Sequence, residues 1–109
     1  MTEKEKKYLS DILMAINLIE LFTAETDSFD QYNSDLKTQS AVERQLAIIG
    51  EAVTKYKNET TENTLQNLQQ IIGFRNRLVH AYDSIDNSIV WVIIKRYLQP
   101  LKEEIEQLL

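Results

Sequence analysis

Apolar residues recur at three- and four-residue intervals through most of the chain, which is the spacing of one face of an α-helix. This pattern predicts four long helices and one short one. The first long helix begins at Thr2, whose side chain can cap it while Glu5 reaches back, and it ends between residues 24 and 27. A short extra helix is expected near residues 28–33. The apolar positions of the first helix are Leu9, Ile12, Leu13, Ile16, Ile19 and Phe22.

Three more long helices follow in the pattern. The second runs from about residue 34 to 56, and the third from about residue 62 to 80, with Arg75 at a position where its apolar stripe would have an aliphatic residue. Residues 83–86 offer a turn and an N-cap for the fourth helix. Pro100 should kink or split that last helix, because proline has no backbone N–H.

Composition supports an all-α fold. Two glycines and one proline in 109 residues are too few for the turns of an all-β domain. The longest unbroken apolar run, residues 89–94, is far shorter than the roughly 18 residues expected of a membrane span. We therefore predict a single domain over residues 1–109, an up-and-down bundle of four long helices.

Charge and cysteine content restrict the function. The chain has 17 acidic and 12 basic residues, so its net charge is −5. Because non-specific binding to nucleic acid comes mainly from Lys and Arg, any contact with RNA must be local. The absence of cysteine excludes disulfides and thiolate chemistry, and it suits a reducing compartment, so we expect a cytoplasmic protein. A helical domain this small often stabilises itself by association, and a homodimer is expected.

The most unusual segment of the chain spans residues 73–82 and holds its single histidine. Arg75, four intervening residues, His80, one residue and Tyr82 reproduce the R-x4-6-H-x-Y signature of HEPN-domain ribonucleases. The segment resembles in particular that of HepT-like toxins from prokaryotic toxin–antitoxin pairs. Residues 41–53 resemble the second-helix pattern of that family, and Val90-Trp91 resembles the start of its fourth helix.

The resemblance covers about residues 5 to 105 in the right order. One difference concerns a tryptophan that many relatives carry a few residues before the Arg-Asn pair, where this chain has Leu68 and no tryptophan. That difference affects packing more than chemistry. The resemblance implies a HEPN-like four-helix bundle with ribonuclease activity.

The residue types of this segment suit phosphoryl transfer even without the family. The imidazole of His80 can take or give a proton near neutral pH, and the guanidinium of Arg75 can hold a phosphate through two hydrogen bonds. Asn76 lies four residues before His80 and can orient it, and Arg77 can add a second phosphate contact. RNA supplies its own nucleophile in the 2′-hydroxyl, so we predict cleavage with no metal or cofactor.

Two further expectations come from the resemblance. On a regular helix, five residues rotate the side chain by roughly 140°, so Arg75 and His80 would point apart. Either a frayed helix end that redirects His80 or a second subunit that contributes the same motif would resolve that problem. The resemblance implies the second, because HEPN domains commonly dimerise with two such motifs facing one composite site. In HepT-like proteins the tyrosine of the motif, here Tyr82, accepts AMP groups from a partner nucleotidyltransferase antitoxin, and such bulky anions would repel an RNA phosphate.

Simpler interpretations stay open. His80 and Tyr82 can be ordinary structural residues, and Arg75 can pair with Glu51, which the family pattern places near the centre of the bundle. Arg44 and Glu51 match family positions but can belong to an ion-pairing surface. The alternative function is a non-catalytic helical partner of a nucleotidyltransferase, which binds or presents its substrate. A purely structural dimeric bundle ranks last, because an arginine on an apolar stripe is costly unless something requires it.

Overall fold

The computed structural model describes residues 1–60, Ile71, Gly73 and residues 85–109. In this part of the chain the order is α1 (Glu3–Phe22), α2 (Phe29–Asn33), α3 (Leu36–Glu59), α4 (Asn87–Val92), a π-helical turn (Ile93–Tyr97) and α5 (Leu98–Leu108). The last three elements form one continuous segment, residues 87–108, which we call the final helix. The all-α prediction is confirmed, as is the short extra helix. The predicted third helix falls outside the described residues, apart from Ile71 and Gly73, which are helical.

Side-chain caps set the helix starts, as the sequence indicates. Thr2 and Glu5 form the predicted capping box, in which each side chain accepts a hydrogen bond from the other residue's backbone N–H. Ser28 on α2, Asp35 on α3 and Asp86 on α4 are simple N-caps, whose side chains each accept a hydrogen bond from a backbone N–H of the first turn. Each cap satisfies a backbone donor that the helix itself leaves without a partner.

The core lies mainly between α1 and α3, which form the most extensive helix–helix contact among the described elements. The final helix covers this pair through α5 against α1, while α2 bridges α3 and α4. Burying these apolar stripes removes them from water and is the main stabilising term of the fold. The core residues of the two long helices are Leu9, Ile12, Ala15, Ile16 and Ile19 on α1 and Val42, Leu46, Ile49, Ala52, Val53 and Tyr56 on α3.

The final helix changes its winding before Pro100 rather than stopping there. In the π turn the backbone N–H of Leu98 donates to the carbonyl of Ile93, five residues back instead of four. Helix then continues through Pro100 to Leu108. Proline removes a donor and crowds the carbonyl four residues before it, and the π turn lies directly before this position in the chain. The interruption expected at Pro100 therefore takes the form of a π turn on its N-terminal side.

The buried residues of the final helix explain why that turn is tolerated. They are Val90, Ile93, Leu98, Leu101 and Ile105, so one step in the series is five residues long and the others are three or four. On a regular α-helix these five side chains would spread over an arc of roughly 140°, and the extra residue of the π turn narrows that arc to roughly 80°. The π turn keeps all five residues on the core side. None of the helices within the described ranges combines the length and the apolar character needed to cross a membrane.

Candidate functional site

The residues that the sequence selects for chemistry are Arg75, Asn76, Arg77, His80 and Tyr82. All five lie outside the described residues, so their roles stay predictions. The structure does describe residues that flank their segment in the chain. Ile71 is buried in the core, and Ile85 packs partly buried against that core.

A cluster of side-chain amides fastens the start of the final helix just after this segment. The Asn87 amide donates to the Oδ1 of Asn33 at 2.9 Å and to the Oε1 of Gln39 at 3.1 Å. Gln39 is buried, and its own amide donates to the carbonyl of Tyr32 at 2.9 Å. Because buried amides are costly without partners, this amide cluster (Asn33, Gln39 and Asn87) ties α4 to α2 and α3. Asn87 lies only five residues beyond Tyr82 in the chain.

Two aromatic side chains stack near the amide cluster, which is linked to one of them through the Gln39 hydrogen bond to the Tyr32 carbonyl. The rings of Tyr32 and Trp91 have centroids 5.7 Å apart and are tilted by 32°. The ammonium of Lys95 lies 4.6 Å from the centroid of the Trp91 ring, which is a cation–π contact. The tryptophan that the resemblance identifies at the start of the fourth helix is therefore held between α2 and an exposed cation.

The Tyr32 hydroxyl is buried and has no hydrogen-bond partner within the described ranges. Burial raises the pKa of Tyr32 well above its ordinary value, and the negative charges of Glu43 and Asp35 raise it further. Burial also raises the pKa of Glu43. Both shifts come mainly from the loss of water around the charged form, so Tyr32 stays neutral at physiological pH.

Two positions that match the family pattern lie at the surface of α3. Arg44 and Glu51 are both exposed, and neither forms an ion pair with another described residue. Glu51 therefore does not lie at the centre of the bundle, as the interpretation of an Arg75–Glu51 pair assumed, and the pair itself is not tested. Glu51 instead lines a small polar groove between α1 and α3, together with Lys7, Tyr8, Asp11, Ile48, Ala52 and Lys55.

Part of the polar lining of this groove is a surface ion pair. The ammonium of Lys7 lies 2.9 Å from Asp11, one helical turn along α1. Such exposed pairs contribute little to stability. Across the described parts of the chain, no three His, Asp or Glu side chains come together as a group that could hold a metal ion.

Sequence analysis did not single out the amide cluster or the Trp91–Lys95 contact. Signals for both are present in the sequence. Gln39 occupies a buried position of the α3 stripe, three residues before Val42, where a polar side chain needs partners. Trp91 and Lys95 are four residues apart, the spacing at which side chains meet on a helix.

Comparison with known proteins identifies the class to which this fold and sequence belong. The profile of the family described as "Ribonuclease HepT-like" matches residues 12–108, which is nearly the whole chain. The chain therefore belongs to the HepT-like ribonuclease family. No solved structure shows a significant match.

Individual relatives support the same assignment. A Thermococcus cleftensis protein named "Probable ribonuclease HepT" is 38% identical over 109 residues, covering 99% of this chain and 98% of the relative. A "Putative RNase" of Methanocaldococcus jannaschii is 34% identical and covers 93% of each chain. Another "Putative RNase", from Caldanaerobacter subterraneus, is 30% identical over 75% of this chain and 74% of its own. These names support ribonuclease activity at the level of the family.

Proposed function

We propose that this chain is the toxin of a prokaryotic toxin–antitoxin system and cleaves RNA in the cytoplasm without a metal ion. The observation that carries the proposal is the family match over residues 12–108, which includes Arg75, His80 and Tyr82 in the R-x4-6-H-x-Y arrangement. A net charge of −5 favours a structured RNA such as tRNA, or a defined site on mRNA, over binding to RNA in bulk.

The proposed reaction uses the RNA's own nucleophile. His80 takes the proton from the 2′-hydroxyl, and the 2′-oxygen forms a bond to the adjacent phosphorus. The bond from phosphorus to the 5′-oxygen breaks, and that oxygen receives a proton. Arg75 stabilises the charge on the pentacoordinate phosphate, with Asn76 orienting the imidazole and Arg77 adding a phosphate contact. The products carry a 2′,3′-cyclic phosphate and a 5′-hydroxyl.

The active form in this proposal is a homodimer. Each chain has one histidine, whereas the reaction needs both a base and an acid. Two motifs related by a twofold axis would supply one imidazole for each task. The dimer would form through helices that include the region from Arg75 to Tyr82.

The antitoxin in this proposal is a nucleotidyltransferase that transfers AMP to Tyr82. The tyrosine oxygen would bond to the α-phosphorus of ATP, pyrophosphate would leave, and the phenolic proton would pass to solvent. The added phosphate carries negative charge beside Arg75 and His80, so it would repel an RNA phosphate.

The test is cleavage of end-labelled RNA in EDTA by the purified protein beside a His80→Ala variant prepared in the same way. Cutting that persists in EDTA and disappears in the variant supports the proposal, and a 2′,3′-cyclic phosphate at the product end supports the mechanism. Equal cutting by both proteins would mean a contaminating nuclease and would remove the support for His80.

Absence of cutting by either protein would favour the alternative function, a non-catalytic partner of a nucleotidyltransferase. The intact mass of the same sample separates that result from a toxin already carrying AMP on Tyr82. Growth provides a second criterion, because a toxin expressed without its antitoxin should arrest growth and His80→Ala should relieve the arrest. A binding partner should be harmless alone.

A further inference from the structure

Charge is distributed unevenly along this acidic chain. Residues 63–102 hold only two of the 17 acidic residues, Asp83 and Asp86, but five of the 12 Lys and Arg residues. The stretch from Asn87 to Lys102 has no acidic residue at all. Because acidic residues are scarce there, residues 63–102, which include Arg75 and His80, carry a net positive charge, whereas Glu103, Glu104 and Glu106 make the end of the final helix acidic.

Two adjacent cations of the final helix are exposed and form no ion pair within the described part of the chain. Lys95 and Arg96 are both exposed, and neither forms an ion pair with any described residue. The other adjacent pair of cations within the described ranges, Lys6 and Lys7, is neutralised by Glu3 and Asp11. Among the described residues, Lys95 and Arg96 are therefore the adjacent pair of cations that no carboxylate neutralises.

One of these two cations lies over an aromatic ring. Lys95 follows Trp91 by four residues and its ammonium lies over the indole, and Arg96 is the next residue of the π turn. Ser88, Val92 and Gln99 are also exposed, so the solvent side of the final helix carries no acidic residue until Glu103. We call Trp91, Lys95 and Arg96 the cationic face of the final helix.

We propose that the cationic face binds backbone phosphates of the RNA substrate. The inference rests on the proposed ribonuclease function for its substrate. Lys and Arg gain affinity for RNA by releasing the counterions condensed on its phosphates. On a chain of net charge −5, such a local site supplies the attraction that the overall charge does not.

The first experiment measures binding of a single-stranded 2′-O-methyl RNA, which lacks the nucleophilic hydroxyl and cannot be cut. The double variant Lys95→Gln/Arg96→Gln should bind about tenfold more weakly at low salt. Its slope of log affinity against log salt should be smaller by about 1.4, since each phosphate contact to a single strand contributes about 0.7. Lys55→Gln/Lys57→Gln removes two exposed lysines from α3 and is the matched control, with little change expected.

The second measurement uses Trp91, the single tryptophan of the chain, as a local reporter. RNA added to the parent protein or to the Lys55→Gln/Lys57→Gln control should change the Trp91 emission, because a phosphate that binds Lys95 alters the charge above the indole. The Lys95→Gln/Arg96→Gln variant should lose that response. Equal affinities and salt slopes for the two double variants, or no response of Trp91 in the parent, would overturn the inference.

The two proposals fail separately in these experiments. If the parent protein does not cleave RNA but its cationic face still binds 2′-O-methyl RNA, the proposed ribonuclease function fails and the proposed binding site stands. If cleavage depends on His80 but the Lys95→Gln/Arg96→Gln variant binds RNA like the parent, the ribonuclease proposal stands and the proposed binding site fails.

Discussion

The α1–α3 pair and the final helix are both long and amphipathic, yet they differ in the regularity of their helical winding and in the side chains that they expose. α1 and α3 are regular α-helices whose inner faces supply most of the described core. The final helix contains a π turn, stacks Trp91 on Tyr32, and presents Lys95 and Arg96 to solvent. Together with the proposed function, the comparison predicts a division of roles, in which the first pair contributes most to stability and the second region, with the preceding motif, carries the chemistry and the RNA binding.

The largest expected effect is on the rate of RNA cleavage, and it follows from a substitution at Arg75. Arg75→Gln should lower the rate of RNA cleavage by about 10²–10³-fold, because the charge that stabilises the phosphate is lost while a polar side chain remains. Its midpoint of urea unfolding should match that of the parent. A large drop in that midpoint with cleavage retained would instead make Arg75 a structural residue.

The next effect concerns the α1–α3 core. Ile16 is fully buried, and Ile16→Ala should lower the free energy of unfolding by about 2–5 kcal/mol through lost burial and a cavity. Cleavage per folded molecule should not change. Met14→Ala is the control on the same helix, since Met14 is 66% exposed and should cost less than about 0.5 kcal/mol. Equal costs at the two positions would contradict the described packing of α1.

A smaller effect tests the amide cluster that joins the two regions. Asn87→Ala removes one hydrogen bond from the buried Gln39 and should lower the free energy of unfolding by about 1 kcal/mol. Urea unfolding beside Asn17→Ala, an exposed asparagine on α1, is the appropriate measurement. If Asn87→Ala were as stable as that control, the amide cluster would contribute nothing to holding α4 against α3.

The smallest effect depends on pH. Burial raises the pKa of Glu43 in the folded state, so the folded protein holds its proton more tightly than the unfolded chain does. Ionisation of Glu43 therefore lowers the free energy of unfolding. The loss begins as pH rises past the ordinary pKa of a glutamate and is complete above the raised pKa of the folded state. Glu43→Gln should melt slightly higher than the parent at pH 7, and the gain should vanish in acid where Glu43 is protonated. A gain of equal size at both pH values would exclude ionisation as the cause.

The sequence predicted the helix starts well, because the caps are local. Thr2 with Glu5, and Asp86 before an apolar run, are signals that depend on three or four residues. The end of α3 lies at Glu59 rather than near residue 56, because Lys57, Asn58 and Glu59 are polar but compatible with helix, and nothing in them requires a stop.

Tertiary features were less accessible from the sequence. Pro100 indicated where the final helix would be disturbed, but not that a π turn would absorb the disturbance. The amide cluster joins residues 48 and 54 positions apart, and no local pattern encodes such a contact. The residue types of Arg75 and His80 suit phosphoryl transfer, but only the family pattern joins them with Tyr82 into one candidate site, since the helical spacing alone would direct Arg75 and His80 apart.

The π turn is equivalent to one residue inserted into an α-helix. If one residue were removed between positions 93 and 97, the five core residues of the final helix would follow one another at steps of three and four, which is the phase of an uninterrupted α-helix. A relative with the shorter final helix would therefore keep the same core, but its side chains would meet in different pairs on the solvent side. In an alignment of the family, a one-residue gap at this point marks a change of surface and not of fold.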